Sequence, residues 1–219
     1  MKLTVPNILT LFRLASAPCF LALFIGSGEG GFLSGLMTPW HGLVACIVVV
    51  VLSETSDILD GILARRWNQV SDFGKILDPY ADSTFRLSCY FSFASAAHGK
   101  WIPLWMVMIL FYRDLLVTVI RAFGIERREF VSARASGKIK AVAQGTTVTL
   151  VLFIAAYHGE NGGQIVAESG AAQLAMWVVV AVTSWSAFDY FWGNRHLFKK
   201  KPKSASGPST DQPPAEPQA

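Results

Sequence analysis

Residues 57–82 read DILDGILARRWNQVSDFGKILDPYAD and contain five aspartates within a chain that is otherwise rich in apolar residues. Four of them form two pairs with helical spacing: Asp57 and Asp60 are three residues apart, and Asp78 and Asp82 are four apart. Residues three or four apart lie on the same face of an α-helix. The connection between the two predicted helices is short, so they should be antiparallel neighbours whose acidic faces can meet.

The composition of the whole chain indicates a membrane protein. Of the 219 residues, 52% are hydrophobic. Six apolar segments approach the roughly 20 residues that a helix needs to cross a bilayer: residues 8–26, 41–63, 74–97, 101–123, 138–158 and 171–193. We therefore predict an all-α integral membrane protein with six transmembrane helices in a domain formed by residues 1–198. Residues 199–219, rich in Lys, Pro and Ser, are predicted to form a disordered cytoplasmic tail.

The first apolar segment has one alternative interpretation. Lys2 precedes it, as a basic residue precedes the apolar part of a signal peptide. Arg13 lies inside the segment, and no convincing cleavage site follows it. A transmembrane helix is therefore the favoured interpretation.

The positions of the basic residues predict the orientation in the membrane. Of the 19 lysines and arginines, all but Lys100 lie near the termini, in the connections 64–73 and 124–137, or in the helix halves that face them. Basic residues accumulate on the cytoplasmic side of membrane proteins. Both termini are thus predicted to be cytoplasmic, in a multi-pass protein of the plasma membrane. The net charge of +4 reflects this topology and attraction to anionic lipids, not nucleic-acid binding.

Two further patterns do not predict a functional site. Residues 26–31, GSGEGG, match G-x-G-x-x-G, but they follow an apolar helix instead of a strand, so we interpret them as a turn. Cys19, Cys46 and Cys89 lie in separate apolar segments without metal-ligand spacing, and we predict that they are core residues.

The four paired aspartates favour a metal site. Carboxylates this close to one another and to apolar surroundings repel and pay a desolvation cost. Divalent cations relieve both effects, and carboxylate oxygens suit Mg²⁺, Mn²⁺ or Ca²⁺. Four aspartates could hold two ions, an arrangement common where a phosphoryl group is attacked. Solvated aspartates at helix ends and a cation-transport site are the alternatives that this spacing leaves open.

Small and basic residues accompany the aspartates. Gly61, Ala64 and Gly74 leave room for a substrate beside the acidic faces, and Arg65 and Arg66 follow one turn later, where they could meet phosphate charge. Together they complete the pattern D-x-x-D-G-x-x-A-R, eight residues, G-x-x-x-D-x-x-x-D, which is filled by Asp57, Asp60, Gly61, Ala64, Arg65, Gly74, Asp78 and Asp82.

This pattern resembles the signature of the CDP-alcohol phosphatidyltransferase family, and the six-helix layout also fits that family. The resemblance extends over about residues 5–195. VPNILTLFR (5–13), RDLLVTVIR (113–121) and GKIK (137–140) are similar to motifs of the branch whose acceptor is sn-glycerol 3-phosphate. The chain departs from that branch at Ser83, where Lys is common, and at Asp114, where Glu is frequent.

The resemblance implies a reaction and a set of site residues. The donor would be CDP-diacylglycerol, and an acceptor hydroxyl would attack its lipid-linked phosphorus while CMP leaves. Two Mg²⁺ or Mn²⁺ ions would be held by Asp57, Asp60, Asp78 and Asp82. Asp82 would also be the general base. The CDP pocket would be lined by Asn7, Thr10, Gly61, Ala64, Arg65 and Gly74. The family also implies membrane lipids as surroundings and a homodimer as a plausible assembly.

Four basic residues are the candidates for holding an acceptor phosphate: Arg113, Arg121, Lys138 and Lys140. Four cations suit sn-glycerol 3-phosphate better than an uncharged alcohol. Arg113 lies inside an apolar segment, where an unpaired charge is costly, so pairing with Asp114 is the alternative. Likewise, Asn7 could cap the first helix, and Arg13 could either bind phosphate or extend to the interface.

Rival functions differ in acceptor or in class. Sister enzymes would use inositol phosphate, phosphatidylglycerol or another alcohol. A cation transporter would need polar residues through both halves of the membrane. Residues 43–52, LVACIVVVVL, form an uninterrupted apolar run instead, which favours chemistry on the cytoplasmic side alone.

Overall fold

The computed structural model describes residues 5–67, 72–96, 101–126 and 135–198. Within these ranges the chain is helical and contains no β-strand, so the all-α prediction is confirmed. The predicted tail, residues 199–219, lies outside the described residues. The four described ranges contain seven α-helices: α1 (Val5–Ser27), α2 (Pro39–Arg66), α3 (Asp72–Ser95), α4 (Leu104–Glu126), α5 (Ala135–Tyr157), α6 (Gly162–Ser169) and α7 (Ala171–Asn194).

The short helix α6 was not predicted. It lies between the fifth and sixth predicted spans, which end at residue 158 and begin at residue 171. Val166 of α6 is buried, and the indole Nε1 of Trp101 donates a hydrogen bond to the carbonyl oxygen of Gly163 (2.9 Å). Gly170 follows with a positive φ of 65°, a conformation that often ends a helix. The sequence does not indicate this helix because its eight residues are too few to give a spanning pattern.

Among the described residues, four helices are long and apolar enough to cross a membrane: Asn7–Ser27, Pro39–Leu63, Ala135–Tyr157 and Ala171–Leu197. They correspond to four of the six predicted spans. Helices α3 and α4 match the other two predicted segments in position and have 24 and 23 residues. Both are interrupted by charged residues, and these charged residues form most of the site described below.

The long helices pack in two groups that contact each other. Helix α1 packs along both α2 and α3, while α4 and α5 pack against α7. Between them, the hydroxyl of Tyr90 on α3 donates a hydrogen bond to the carbonyl oxygen of Gln144 on α5 (3.0 Å). An aromatic core fills the bundle, and the ring centroids of Phe24 and Trp101 are 5.2 Å apart in an edge-to-face arrangement. This core fixes α1, α2 and α3 beside one another, and their other halves form the site.

The three cysteines do not share one environment. Cys46 and Cys89 are fully buried in the main core, as predicted. Cys19 is exposed on the surface of α1, so its prediction as a core residue is wrong. Within a helix, burial depends on which face meets a neighbour, and the outer face of α1 has none at this position.

The GSGEGG stretch is a turn between two helices, as predicted. Gly26 and Ser27 end α1, and Gly30 has a positive φ of 73°. A Cβ on Gly31 would lie 2.3 Å from the carbonyl oxygen of Gly26, so the chain can fold back only with a glycine there. The stretch therefore connects α1 to α2. A dinucleotide site would need a strand before the glycines, and here a helix precedes them.

Gly42 lets α2 approach α1 closely, and this contact gives the first prediction. A Cβ on Gly42 would lie 1.8 Å from Ser27 Oγ and 2.2 Å from Ser27 Cβ. We expect Gly42→Ala to lower the thermal unfolding midpoint in detergent, because overpacking costs ~1–3 kcal/mol. That cost exceeds the ~0.5–1 kcal/mol by which alanine favours a helix.

The matched control is Gly35→Ala, since a Cβ on Gly35 would meet nothing within 4 Å. Its midpoint should stay close to that of the unmodified protein. Equal midpoints for the two variants would contradict the close packing of α1 on α2.

Candidate active site

A buried arginine lies among the aspartates of α2 and α3. Arg13 of α1 is 2% exposed. Its Nη1 lies 2.9 Å from Asp57 Oδ1, and its Nη2 lies 2.6 Å from Asp60 Oδ2. Nη1 also donates a hydrogen bond to Asp82 Oδ1. One guanidinium therefore joins three helices, and Arg13 does not extend to the interface, which was one of its two predicted roles.

Asp78, the remaining aspartate of the two predicted pairs, pairs with another residue of α1 instead of Arg13. The hydroxyl of Thr10, one turn before Arg13, donates a hydrogen bond to Asp78 Oδ1 (2.6 Å). Asn7, a further turn back, is buried inside α1, so it does not cap that helix. The predicted polar residues of α1 thus share the face that meets α2 and α3.

The structure brings together the paired aspartates as the sequence predicts. We call Asp57, Asp60, Asp78 and Asp82 the carboxylate cluster. Asp57 keeps 40% of its side chain exposed, so the cluster is open to solutes on one side. Gly61 follows Asp60 on α2, and Gly74 is buried in the first turn of α3. Ala64 and Arg65 lie in the last turn of α2, and their side chains lie outside the described part.

The donor chemistry of the carboxylate cluster fits a hard divalent cation, because carboxylate oxygens are the ligands that Mg²⁺ and Mn²⁺ prefer. Its oxygens already converge on a cationic group, the guanidinium of Arg13. Among the described residues, no group of three or more acidic, His or Cys side chains has an arrangement ready to hold a metal ion. The cluster thus favours positive charge, and in this arrangement Arg13 supplies it.

The second predicted group of charges lies on α4 and α5. Asp114 Oδ1 is 3.0 Å from Arg113 Nη1 and 2.6 Å from Lys140 Nζ. Arg113 also donates to Ser186 Oγ (2.7 Å). The alternative of an Arg113–Asp114 pair is thus present in the structure. Since one carboxylate faces two cations, the group keeps a net positive charge.

All four predicted basic residues line one cavity of about 400 Å³, the basic cavity: Arg113, Arg121, Lys138 and Lys140. Arg121 Nε donates to the hydroxyl of Tyr190 (3.3 Å) on α7. Lys138 is exposed and Lys140 is buried, yet both reach the cavity, as expected for two residues at a helix start. Asp82 lines the same cavity, which makes it the residue shared by the two predicted groups.

Two charged residues of the site were not predicted from the sequence. Arg86 follows Asp82 by four residues and lines the basic cavity. Its Nη2 lies 3.8 Å from Oε1 of Glu54 on α2. The four-residue step from Gly74 through Asp78 and Asp82 continues to Arg86, and this continuation is the signal that could have identified it.

A side groove opens between α2, α3 and α5. Its volume is about 730 Å³. Charged residues line one end, including Asp57, Arg86 and Lys138, and apolar residues such as Leu150 and Phe153 line the other. A groove with these two ends can accept a molecule that has a charged head and a hydrocarbon chain.

Comparison with known proteins places the chain in a family. The family model for CDP-alcohol phosphatidyltransferase matches residues 3–185. A CDP-diacylglycerol–glycerol-3-phosphate 3-phosphatidyltransferase of Sodalis glossinidius is 31% identical over 198 residues, which is 90% of this chain and 97% of that protein. A protein of the same name from Bacillus subtilis is 32% identical over 195 residues, covering 89% and 96%.

A third relative carries a different name. The cardiolipin synthase (CMP-forming) of Streptomyces coelicolor is 40% identical over 126 residues, which is 58% of this chain and 53% of that protein. The family model covers most of the chain, including both halves of the aspartate pattern and the basic residues of α4 and α5. The chain therefore belongs to the CDP-alcohol phosphatidyltransferase family.

Proposed function

We propose that this protein transfers a phosphatidyl group from CDP-diacylglycerol to sn-glycerol 3-phosphate, which releases CMP and forms phosphatidylglycerophosphate. The observation that carries the proposal is the basic cavity, which is lined by Asp82 of the carboxylate cluster and by five cationic residues, the four predicted ones and Arg86. A phosphorylated acceptor held by these cations would present its hydroxyl beside Asp82. The names of the full-length relatives from Sodalis glossinidius and Bacillus subtilis support the same substrates.

The donor nucleotide would bind at the carboxylate cluster. Mg²⁺ or Mn²⁺, as two ions, would be held by Asp57, Asp60, Asp78 and Asp82, and when bound would neutralise the pyrophosphate and the leaving CMP. Asn7 and Thr10 on α1 lie beside the cluster, where they could contact CDP. Gly61, Ala64, Arg65 and Gly74 would line the rest of that pocket.

Asp82 would act as the general base. It lines the basic cavity, is only half-buried, and belongs to the carboxylate cluster. Its carboxylate can therefore accept the proton of an acceptor hydroxyl while the oxygen attacks phosphorus. The Arg113–Asp114–Lys140 group keeps its cations at fixed positions, which would orient the acceptor phosphate before the reaction.

In the membrane, six helices would span the bilayer with both termini in the cytoplasm. A helix of 24 residues such as α3 is ~36 Å long at 1.5 Å per residue, enough for a hydrocarbon core of about 30 Å. Positive residues near the site favour a position on the cytoplasmic side of the plasma membrane, where the acceptor would be dissolved. The acyl chains of the bound donor would extend along the side groove, whose far end is apolar. A homodimer stays a prediction from the family.

A second candidate acceptor is phosphatidylglycerol. The local identity of 40% to a cardiolipin synthase (CMP-forming) is the observation that favours it. That match covers little more than half of each chain, whereas the matches to the glycerol-3-phosphate enzymes cover nearly all of each. A cation transporter is disfavoured because α2 carries an uninterrupted apolar run at residues 43–52.

The proposed function is tested by measuring CMP release from CDP-diacylglycerol with purified protein and Mg²⁺ in detergent. The acceptors are sn-glycerol 3-phosphate, phosphatidylglycerol, inositol phosphate, inositol and serine, each supplied separately. We expect release with sn-glycerol 3-phosphate, and none after chelation of the metal. Release with another acceptor alone would contradict the assignment of the basic cavity.

Asp82→Asn should abolish turnover without unfolding the protein. Loss of a general base lowers the rate ~10²–10⁴-fold, and the amide keeps the shape of the side chain. The control is Glu168→Gln, which removes a carboxylate that accepts a hydrogen bond from Gln164 (2.8 Å) far along the chain from the cluster. Rates of Asp82→Asn within a few-fold of normal would show that Asp82 is not the base.

Lys138→Ala should raise the KM for sn-glycerol 3-phosphate by ~10-fold, since a hydrogen bond to a charged group contributes ~1.5–3 kcal/mol. The KM for CDP-diacylglycerol should change much less. Arg195→Ala is the matched loss of a cation, because Arg195 stacks on Trp192 (4.3 Å from the ring centroid) and does not line the cavity. Equal effects of Lys138→Ala on both substrates would mean that the acceptor site is misplaced.

A further inference from the structure

Arg86 lies where three compartments of the site meet. It lines the basic cavity, the side groove, and a small pocket that it shares with Arg13, Asp57 and Asp82. Its side chain is 13% exposed, so the charge is held inside the bundle. A single guanidinium thus borders the proposed sites of the nucleotide, the acceptor and the lipid chains.

The guanidinium of Arg86 has unused hydrogen-bonding capacity. Its ion pair with Glu54 is 3.8 Å long, well beyond the 2.7–2.9 Å of a charge-assisted hydrogen bond. Its Nε is buried and has no hydrogen-bond partner among the described residues. An arginine presents five donors in a fixed fork that matches phosphate oxygens, and buried donors in proteins are normally satisfied.

Three of the neighbouring cations already have direct partners, although the Nε of Arg113 has none among the described residues. Arg113 and Lys140 both pair with Asp114, and Arg113 also donates to Ser186. Arg121 donates to Tyr190. These groups are held toward α4, α5 and α7, where an acceptor phosphate would sit. Arg86 instead lies on α3, one turn after Asp82 and beside the carboxylate cluster.

We propose that Arg86 is a catalytic residue that donates hydrogen bonds to the non-bridging oxygens of the phosphoryl group in transfer. This inference rests on the proposed function, because the phosphorus must lie within reach of a hydroxyl that faces Asp82. As the acceptor oxygen bonds to phosphorus, the bond from phosphorus to the CMP oxygen breaks, and the acceptor proton passes to Asp82. Arg86 stays protonated throughout and stabilises the charge on the non-bridging oxygens.

Glu54 would position Arg86 and leave its donors free. The two charges attract across 3.8 Å without a direct hydrogen bond, so the guanidinium is kept near α2 but remains open to the substrate. Gly145 of α5 lies beside this carboxylate, and a Cβ there would be in ordinary contact with Glu54 Oε1, at 3.5 Å. Glu54 is therefore a positioning residue.

The test compares Arg86→Gln, Arg86→Ala and Arg86→Lys with Arg195→Gln in the CMP-release assay with sn-glycerol 3-phosphate. We expect Arg86→Gln to lower kcat ~10²-fold or more, the loss typical of one donor to a transition-state oxyanion. Both KM values should stay within a few-fold. Arg195→Gln should behave as the unmodified protein.

Chemical rescue separates a catalytic from a structural role. Added guanidinium ions should restore part of the activity of Arg86→Ala, and Arg86→Lys should be more active than Arg86→Gln. A kcat for Arg86→Gln within twofold of normal would overturn the proposal. The proposal would also be overturned if the loss of activity in the variants matched a loss of folded protein and guanidinium did not restore it.

A double variant covers the case in which Arg86→Gln does not fold. Glu54→Gln/Arg86→Gln removes both charges, so no buried charge is left unpaired. We expect this protein to fold and to be as inactive as the single variant; activity above ten per cent of normal would mean that the pair is only structural. If the unmodified protein releases no CMP with any acceptor, the proposed function fails before Arg86 is tested.

Discussion

The buried guanidinium of Arg13 is the constraint on which the site depends. It brings a positive charge from α1 against Asp57 and Asp60 of α2 and Asp82 of α3. Breaking such a buried arrangement leaves uncompensated charge and costs ~3–5 kcal/mol, so α1 cannot shift without a large penalty. The carboxylates would otherwise repel one another. Their helices can stay close only while positive charge lies between them.

The bundle has an apolar part and a charged part, and the charged part surrounds Arg13. One part is an aromatic and aliphatic core, in which Phe24, Phe93 and Trp101 pack against each other. The other part carries carboxylates and cations in separate groups, joined through Asp82 in one cavity. Charges at one end and hydrocarbon at the other suit a reaction between a water-soluble acceptor and a lipid donor. The same separation would not serve a path for ions through the membrane.

The sequence predicts local and periodic features well. Helical spacing placed Asp57 with Asp60 and Asp78 with Asp82 on two faces that do meet. It could not predict which group neutralises them, because Arg13 is more than forty residues away along the chain and reaches them only through the packing of α1. Arg86 continues the four-residue step of Asp78 and Asp82 in the sequence, but its pairing with Glu54 depends on the packing of α2 against α3. The burial predicted for Cys19 is wrong, and the cap role left open for Asn7 is excluded, since the end of a helix and its outer face depend on neighbours.

If the carboxylate cluster holds the divalent cations of the reaction, as we propose, Mn²⁺ binding should depend on its aspartates, and electron paramagnetic resonance measures this binding. The measurement compares the unmodified protein, Asp78→Asn and Glu168→Gln, each with CDP present. Asp78 accepts its hydrogen bond from Thr10, so this variant leaves the pairing of Arg13 intact. We expect the unmodified protein and Glu168→Gln to bind Mn²⁺, and Asp78→Asn to bind it with an affinity lowered ~10-fold or more, since even an outer partner of a metal ligand contributes ~10–100-fold. Equal binding by all three proteins, or none by the unmodified protein, would overturn this metal site.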